Sequence, residues 1–225
     1  FLEKQIKLAT HIMKTLYLFQ PQHEIIIKGV KNYWLPYAIG CLWSYVKNNI
    51  SGYNLGGLIF KRDSIDDVLK EIKDPDVCAF STYIWNEQYN LKLAQEIKRK
   101  YPNCIIEFGG PQTTKKLVEL DYVDCVILGE GERDFVDLLD RVQNSKPIQP
   151  VYERVQLEEL HYTSPYTSGV FDDLVSKYPD YVWATLVETT RGCPHHCTFC
   201  DWGTWMKKIK KFDIEQVEKD INWMS

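Results

Sequence analysis

The chain has 225 residues, 44% apolar and 26% charged, with 12 Gly and 10 Pro. This is the make-up of a folded globular protein and excludes collagen, a coiled coil and wholesale disorder. Twenty-seven Lys and Arg against 31 Asp and Glu leave a net charge of −4, so no overall field draws the chain to nucleic acid or to an anionic membrane surface. No apolar run reaches the ~18 residues of a membrane span, and the opening FLEKQIKLATHIMK is too charged for a signal-peptide core. A cytoplasmic protein is expected, with no membrane or nucleic-acid partner. The chain opens on Phe1 and stops at Ser225 within a helical pattern, so truncation at both ends is expected.

From residue 15 to 143 short apolar runs alternate with amphipathic stretches. TLYLF (15–19) is followed by a helical pattern over 34–48, LGGLIF (55–60) by 64–73, VCAFSTY (77–83) by 87–100, CIIEFGG (104–110) by 113–120, and CVILG (125–129) by 132–143. Continuous apolar runs suit strands covered on both faces, and the rhythm predicts an α/β fold: a doubly wound, Rossmann-like parallel sheet over residues 1–143. Ser64 and Thr113 stand where helix N-caps belong. Residues 144–180, with Pro147, Pro150, Pro165 and Pro179, read as an interdomain connector with a helical piece near 170–177. Residues 181–225 begin a second domain: a strand YVWATLVET (181–189), a cysteine loop, the cluster KKIKK (207–211), and a helix in which Asp213 and Gln216 match a capping box.

Four of the seven cysteines stand alone: Cys41 in a helical pattern, and Cys78, Cys104 and Cys125 in apolar runs, as small buried thiols do. The other three, Cys193, Cys197 and Cys200, fall in ETTRGCPHHCTFCDWG as a C-x3-C-x2-C array. Three clustered thiols read first as a metal or cluster site. On a 4Fe-4S cube they leave one iron open to an exogenous molecule. A zinc site completed by His195 or His196 and a disulfide with one spare thiol are the other readings of the same residues.

The array resembles the signature of the radical S-adenosylmethionine (radical SAM) enzymes, with Phe199 at the aromatic position before the third cysteine. The resemblance implies Cys193, Cys197 and Cys200 as ligands of a 4Fe-4S cluster, Phe199 beside the cofactors, and S-adenosylmethionine on the free iron. It also implies the first β/α unit of a partial TIM barrel that this chain leaves incomplete. Trp202 is placed beside the cluster or in the core, Glu188 and Arg191 as a charge pair at the strand end, and KKIKK on a solvated segment.

A doubly wound sheet binds ligands beyond the carboxyl ends of its strands. There stand STYIWN (81–86), GGP (109–111) and GEGE (129–132), which offer hydroxyls and flexible, close-approach turns. Their order, with SPYTSGVFDDL (164–174) before the cysteine loop, resembles the cobalamin-binding domain that precedes the radical SAM domain in one branch of that superfamily. The resemblance implies that Ser81, Thr82, Gly109, Gly110, Gly129 and Gly131 line a pocket for the nucleotide tail or corrin of cobalamin. The D-x-H-x-x-G loop that supplies a histidine to cobalt in many cobalamin domains is absent, and His23 in FQPQHEIII reads as a loop residue. No G-x-G-x-x-G follows the first strand, which leaves a dinucleotide-binding domain without support.

The expectation is a cobalamin-dependent radical SAM enzyme, most plausibly a methyltransferase acting on a small-molecule substrate and fed by an electron donor such as flavodoxin or ferredoxin. Non-methylating rearrangement or redox chemistry and a noncatalytic zinc-stabilised module are the alternatives. The residues here are expected to be inactive alone, since only 25 follow Cys200 and a barrel takes about 200.

Overall fold

The computed structural model describes residues 13–155, 163–195, 197–200, 206 and 208–225. In chain order the elements are β1 (Lys14–Gln22), β2 (Ile25–Ile27), β3 (Val30–Trp34), α1 (Tyr37–Asn49), β4 (Tyr53–Lys61), α2 (Ile65–Glu71), β5 (Val77–Ser81), α3 (Glu87–Lys100) and β6 (Ile105–Gly109). A 3-10 turn (Lys115–Glu119) leads to β7 (Cys125–Gly129), α4 (Glu132–Gln143), β8 (Val151–Val155), α5 (Asp172–Lys177), β9 (Val182–Ala184), β10 (Thr190–Arg191), β11 (Lys210–Lys211) and α6 (Ile214–Met224). No helix among the described residues is long and apolar enough to cross a membrane.

Six parallel strands form the main sheet in the order β4-β1-β5-β6-β7-β8. In β1, Leu16 and Leu18 face α1 and α4, where Ile39, Val46, Phe135, Leu138 and Leu139 cover them. Tyr17 and Phe19 face α2 and α3, with Val68, Leu93, Ala94 and Ile97. Phe19, Phe80 and Phe108 stack across three strands of that second face, with centroids 4.4 and 5.0 Å apart; such pairs add about 0.5–1.5 kcal/mol each beyond their burial. From β1 the chain crosses to β4 on one side, and from β5 onward it builds the other side. The neighbours β1 and β5 therefore mark the topological switch point, where a doubly wound sheet opens a crevice.

The doubly wound α/β architecture is as the sequence predicts, and several elements differ. The sheet has a sixth strand, β8, in which Tyr152 is buried beside Cys125 and Ile127 on the α1/α4 face. Residues 113–120 form only the 3-10 turn, because the Thr113 hydroxyl donates to Gly109 O at 2.7 Å and the Thr113 amide to Gly110 O, which holds Thr113 in the strand-end turn instead of capping a helix. Ser64 does cap α2, accepting from the Asp67 amide at 3.2 Å. The strand expected over 181–189 is two short pieces, β9 and β10. Between them Leu186 commits its amide and carbonyl to the Tyr166 hydroxyl, at 3.1 and 2.6 Å, and so leaves the ladder.

A second, three-stranded sheet joins the two halves of the chain. β2 and β3 form a hairpin whose turn residues Lys28 and Gly29 both have positive φ, and β9 pairs parallel to β3. Behind it, Tyr33, Leu35 and Phe60 pack with Tyr166, Val170, Phe171 and Leu174 of the connector. Gly40 in α1 admits this contact: a β-carbon there would stand 2.4 Å from the Phe171 ring.

Candidate functional site

A cavity of about 750 Å³ opens at the switch point. The start of α1 (Tyr37, Cys41, Leu42) forms one wall, the ends of β5, β6 and β7 form the floor, and the segment Leu186–Arg191 closes the far side. Ser81, Gly109, Gly110, Gly129 and Gly131 all line it. Gly110 is held at φ +94°, and a β-carbon there would stand 2.6 Å from the Thr82 backbone, so the β5 and β6 turns can touch only through a glycine.

Thr82 is not part of the lining. Its amide donates to Gly109 O at 2.7 Å and its hydroxyl accepts from Asn90 Nδ2 at 3.2 Å, on the side away from the cavity.

Sequence reasoning missed three contributors. Cys41 is buried as expected but lines the cavity, and burial pushes its thiol up to about 12. Glu107, hidden inside the apolar run CIIEFGG, is 3% exposed on the cavity wall, and burial raises its carboxyl well above the usual range.

The third is a buried ion-pair network. Lys210 Nζ reaches both oxygens of Glu130 at 2.7 and 2.6 Å, and Arg191 Nη1 reaches Glu132 at 2.6 Å and Glu130 at 3.5 Å. Arg191 Nε also holds Glu188 at 2.8 Å. Lys210, from the KKIKK cluster, is therefore not on a solvated face: it is 6% exposed, while Lys208 and Lys211 are exposed and Lys207 lies outside the described residues. The expected charge pair of Glu188 and Arg191 is present as one edge of this network.

The network fixes the two arms of the cysteine loop. Arg191 and Lys210 pair in the β10–β11 ladder that brackets the loop, and their partners Glu130 and Glu132 belong to the GEGE turn at the cavity mouth. Gly192, at φ +101°, lets the arms close; a β-carbon there would stand 2.4 Å from Lys208 O. Cys193 and Cys200 are half-buried and Cys197 is exposed, and none of the three is in a disulfide. The Cys193 amide donates to Met206 O and the Cys200 amide to Cys197 O. Among the described residues no three His, Cys, Asp or Glu side chains converge into a metal site. Phe199 is 92% exposed and is not among the residues lining the cavity. His196 and Trp202 lie outside the described residues. Three thiols on one short loop nonetheless match the donor set of a cluster with one unligated iron.

A glycine-lined cavity at a switch point is thus tied by buried ion pairs to a three-cysteine loop. No family model matches the chain. It is 32% identical over 222 residues to the 2-(S-pantetheinyl)-carbapenam-3-carboxylate methyltransferase of Streptantibioticus cattleyicolor, over 85% of this chain and 32% of that protein. It is 28% identical over 229 residues to the cobalamin-dependent radical SAM methyltransferase TokK of Streptomyces tokunonensis, over 90% of this chain and 34% of that protein. The hopanoid C-3 methylase of Methylococcus capsulatus matches at 26% identity over 190 residues, 76% of this chain and 37% of that protein. In fold it resembles the cobalamin-dependent S-adenosylmethionine radical enzyme OxsB, with a TM-score of 0.66 and 20% identity over 95% of this chain and 32% of that one. The chain is a relative of the cobalamin-dependent radical SAM proteins, as its cysteine loop and glycine turns imply. It spans about a third of the length of the first two of these relatives, 32% and 34%.

Proposed function

We propose that the whole protein is a cobalamin-dependent radical SAM methyltransferase acting on a small molecule in the cytoplasm, and that residues of this chain hold its cluster and its cobalamin. The observation that carries the proposal is the buried network of Arg191, Lys210, Glu130 and Glu132, which ties the cysteine loop to the mouth of the glycine-lined cavity. When bound, the cluster supplies the electron for reductive cleavage of S-adenosylmethionine, and cobalamin supplies a transferable methyl group.

In this scheme Cys193, Cys197 and Cys200 would hold the cluster, and Phe199, next to Cys200 in the chain, would stand beside it. The backbone of Gly109, Gly110, Gly129 and Gly131 lies close against cobalamin, with the Ser81 hydroxyl as a polar contact. Arg191 and Lys210 keep the loop on the cavity mouth, so that both cofactors face one substrate. A flavodoxin or ferredoxin would deliver the electron.

The test is anaerobic reconstitution of the protein expressed in full. About four irons per chain are expected, together with 5′-deoxyadenosine on addition of S-adenosylmethionine and reductant, and a methylated product. Stoichiometric zinc without iron would refute the cluster. Deoxyadenosine formed without methyl transfer from any substrate would leave radical chemistry and remove the transferase.

A further inference from the structure

Glu107 sits in the middle of β6, one pleat below Gly109 on the same face of the sheet, opposite Ala79 of β5 and Cys125 of β7. It is a carboxyl in an apolar place. Ala79, Ile127, Leu42 and Phe135 bound the cavity on this face with carbon. Among the described residues the Glu107 carboxyl makes no hydrogen bond or ion pair, and the nearby cations Arg191 and Lys210 are engaged by Glu130, Glu132 and Glu188. Burial raises its carboxyl well above the usual carboxylate range, which favours the protonated form.

The carboxyl leans toward the cavity mouth. Its Oε1 lies 3.1 Å from where a β-carbon on Gly109 would stand, so it occupies the space that the missing side chain leaves. A protonated carboxyl has one O–H to donate. Left unmet in an apolar slot it costs stability, and a ligand acceptor placed there removes that cost.

The slot lies beneath the strand-end glycines. Of the parts of cobalamin, the corrin is a broad macrocycle fringed with amide arms and the benzimidazole is a slim planar base, so the base is the part that suits a carboxyl set below the strand-end glycines. Resting on the cobalamin reading given above, we propose that Glu107 is a binding residue for the benzimidazole of cobalamin's nucleotide tail. It donates its O–H to the ring nitrogen that is free when that base is not on cobalt. Ala79 and Ile127 pack against the two edges of the ring, and Gly109 leaves the path to the carboxyl open.

The test compares two corrinoids on the protein expressed in full: hydroxocobalamin, and dicyanocobinamide, which has the same macrocycle and no nucleotide. Affinities are read from the change in corrin absorbance, so the result does not depend on turnover. Glu107→Leu is expected to weaken hydroxocobalamin by about tenfold or more, the value of one hydrogen bond in a dry site, and to leave dicyanocobinamide unchanged. Glu107→Gln, which keeps an N–H donor, restores most of the loss. Denaturant unfolding of the apo-protein accompanies each variant, and the Leu variant is expected to be at least as stable as the parent, because it removes a buried acid. An equal loss for both corrinoids, or a loss for neither, overturns the proposal. If the unaltered protein binds both corrinoids equally, the tail is not held and the proposal falls while the cobalamin reading stands. If it binds neither, the cobalamin reading falls and the proposal falls with it.

Discussion

The cavity and the cysteine loop are built in opposite ways. The cavity is made by packing: its floor is three strand ends in a fully covered sheet, and its walls are helices with buried apolar faces. The described residues of the loop are held differently: its thiols are half-buried or exposed, the Cys193 and Cys200 amides are hydrogen-bonded, and two buried cations anchor its base. A site on a sheet exists before its ligand arrives, whereas a three-thiol loop takes its final shape from the metal it binds. The buried ion-pair network links the two.

The largest effect follows from this difference. Replacing Cys193, Cys197 and Cys200 together by Ala is expected to abolish bound iron, since all three thiolate ligands go with them, while corrinoid binding and the unfolding midpoint of the apo-protein stay as they were. Iron analysis, corrin absorbance and urea denaturation on one preparation check all three. A large loss of apo-stability would mean that the loop carries folding energy of its own and would break the contrast.

Next in size is the network. Lys210→Met leaves Glu130 buried without its closest partner, and removing one member of a buried pair costs about 3–5 kcal/mol. Lys210→Met with Glu130→Gln is expected to recover much of that, because no buried charge is left stranded. Urea unfolding gives both numbers. A cost below about 1 kcal/mol, the range of an exposed pair, would show that water reaches the network and that it does not bind loop to cavity.

Most of the fold is legible in the sequence, for a physical reason: β5 and β7 are short, wholly apolar runs, VCAFS and CVILG, which only a sheet covered on both faces explains. The strand-end glycines and clustered thiols stand out equally, because each is a residue type with few other uses. What escapes is what long-range contact decides. β8, VYERV, carries charges and lies among prolines, so only pairing with β7 reveals it as a strand. The hairpin residues Ile25, Ile26 and Ile27 are apolar yet exposed, which defeats a reading that assigns apolar runs to the core. Lys210 looks solvated until its partner 80 residues earlier in the chain is known. Glu107 interrupts an apolar strand and is easily passed over, although a lone acid inside such a run is itself a signal. Thr82 follows Ser81 directly in the chain, and only its hydrogen bonds to Gly109 and Asn90 set it apart from the lining residues.

Glu107 also gives the cavity a pH signature. Its carboxyl is raised by burial in the folded chain, while an unfolded Glu titrates near ~4.3. Above that pH the unfolded chain gives up the proton and the folded chain keeps it, so stability falls as pH rises until the folded group ionises too. One proton contributes at most about 1.4 kcal/mol per pH unit. Glu107→Gln removes that slope, and the stability of the variant minus that of the parent is expected to grow from pH ~4.3 upward. The exposed carboxylates titrate alike in both proteins and cancel. A flat difference would mean that Glu107 is ionised and compensated in the folded state.

The smallest effect asks whether the two regions unfold together. Each contains one helix cap of the same kind: Ser64 accepts from the Asp67 amide at the start of α2, and Asp213 accepts from the Glu215 amide at 3.0 Å at the start of α6. Loss of such a cap costs about 1 kcal/mol. Since α2 is packed on the sheet through Val68, Ser64→Ala should shift the main unfolding transition by that amount. Helix α6 buries only Val217 of its apolar stripe among the described residues, and Ile214 and Ile221 remain exposed, although Trp223 near its end packs on Tyr166 and donates to Asp172. Asp213→Ala should therefore leave the main transition nearly unmoved and instead speed amide exchange in residues 213–224. Equal shifts from the two substitutions would show that the Trp223 contact and the Lys210 pair join α6 to the sheet as one cooperative unit, and the loop would then inherit its stability from the cavity.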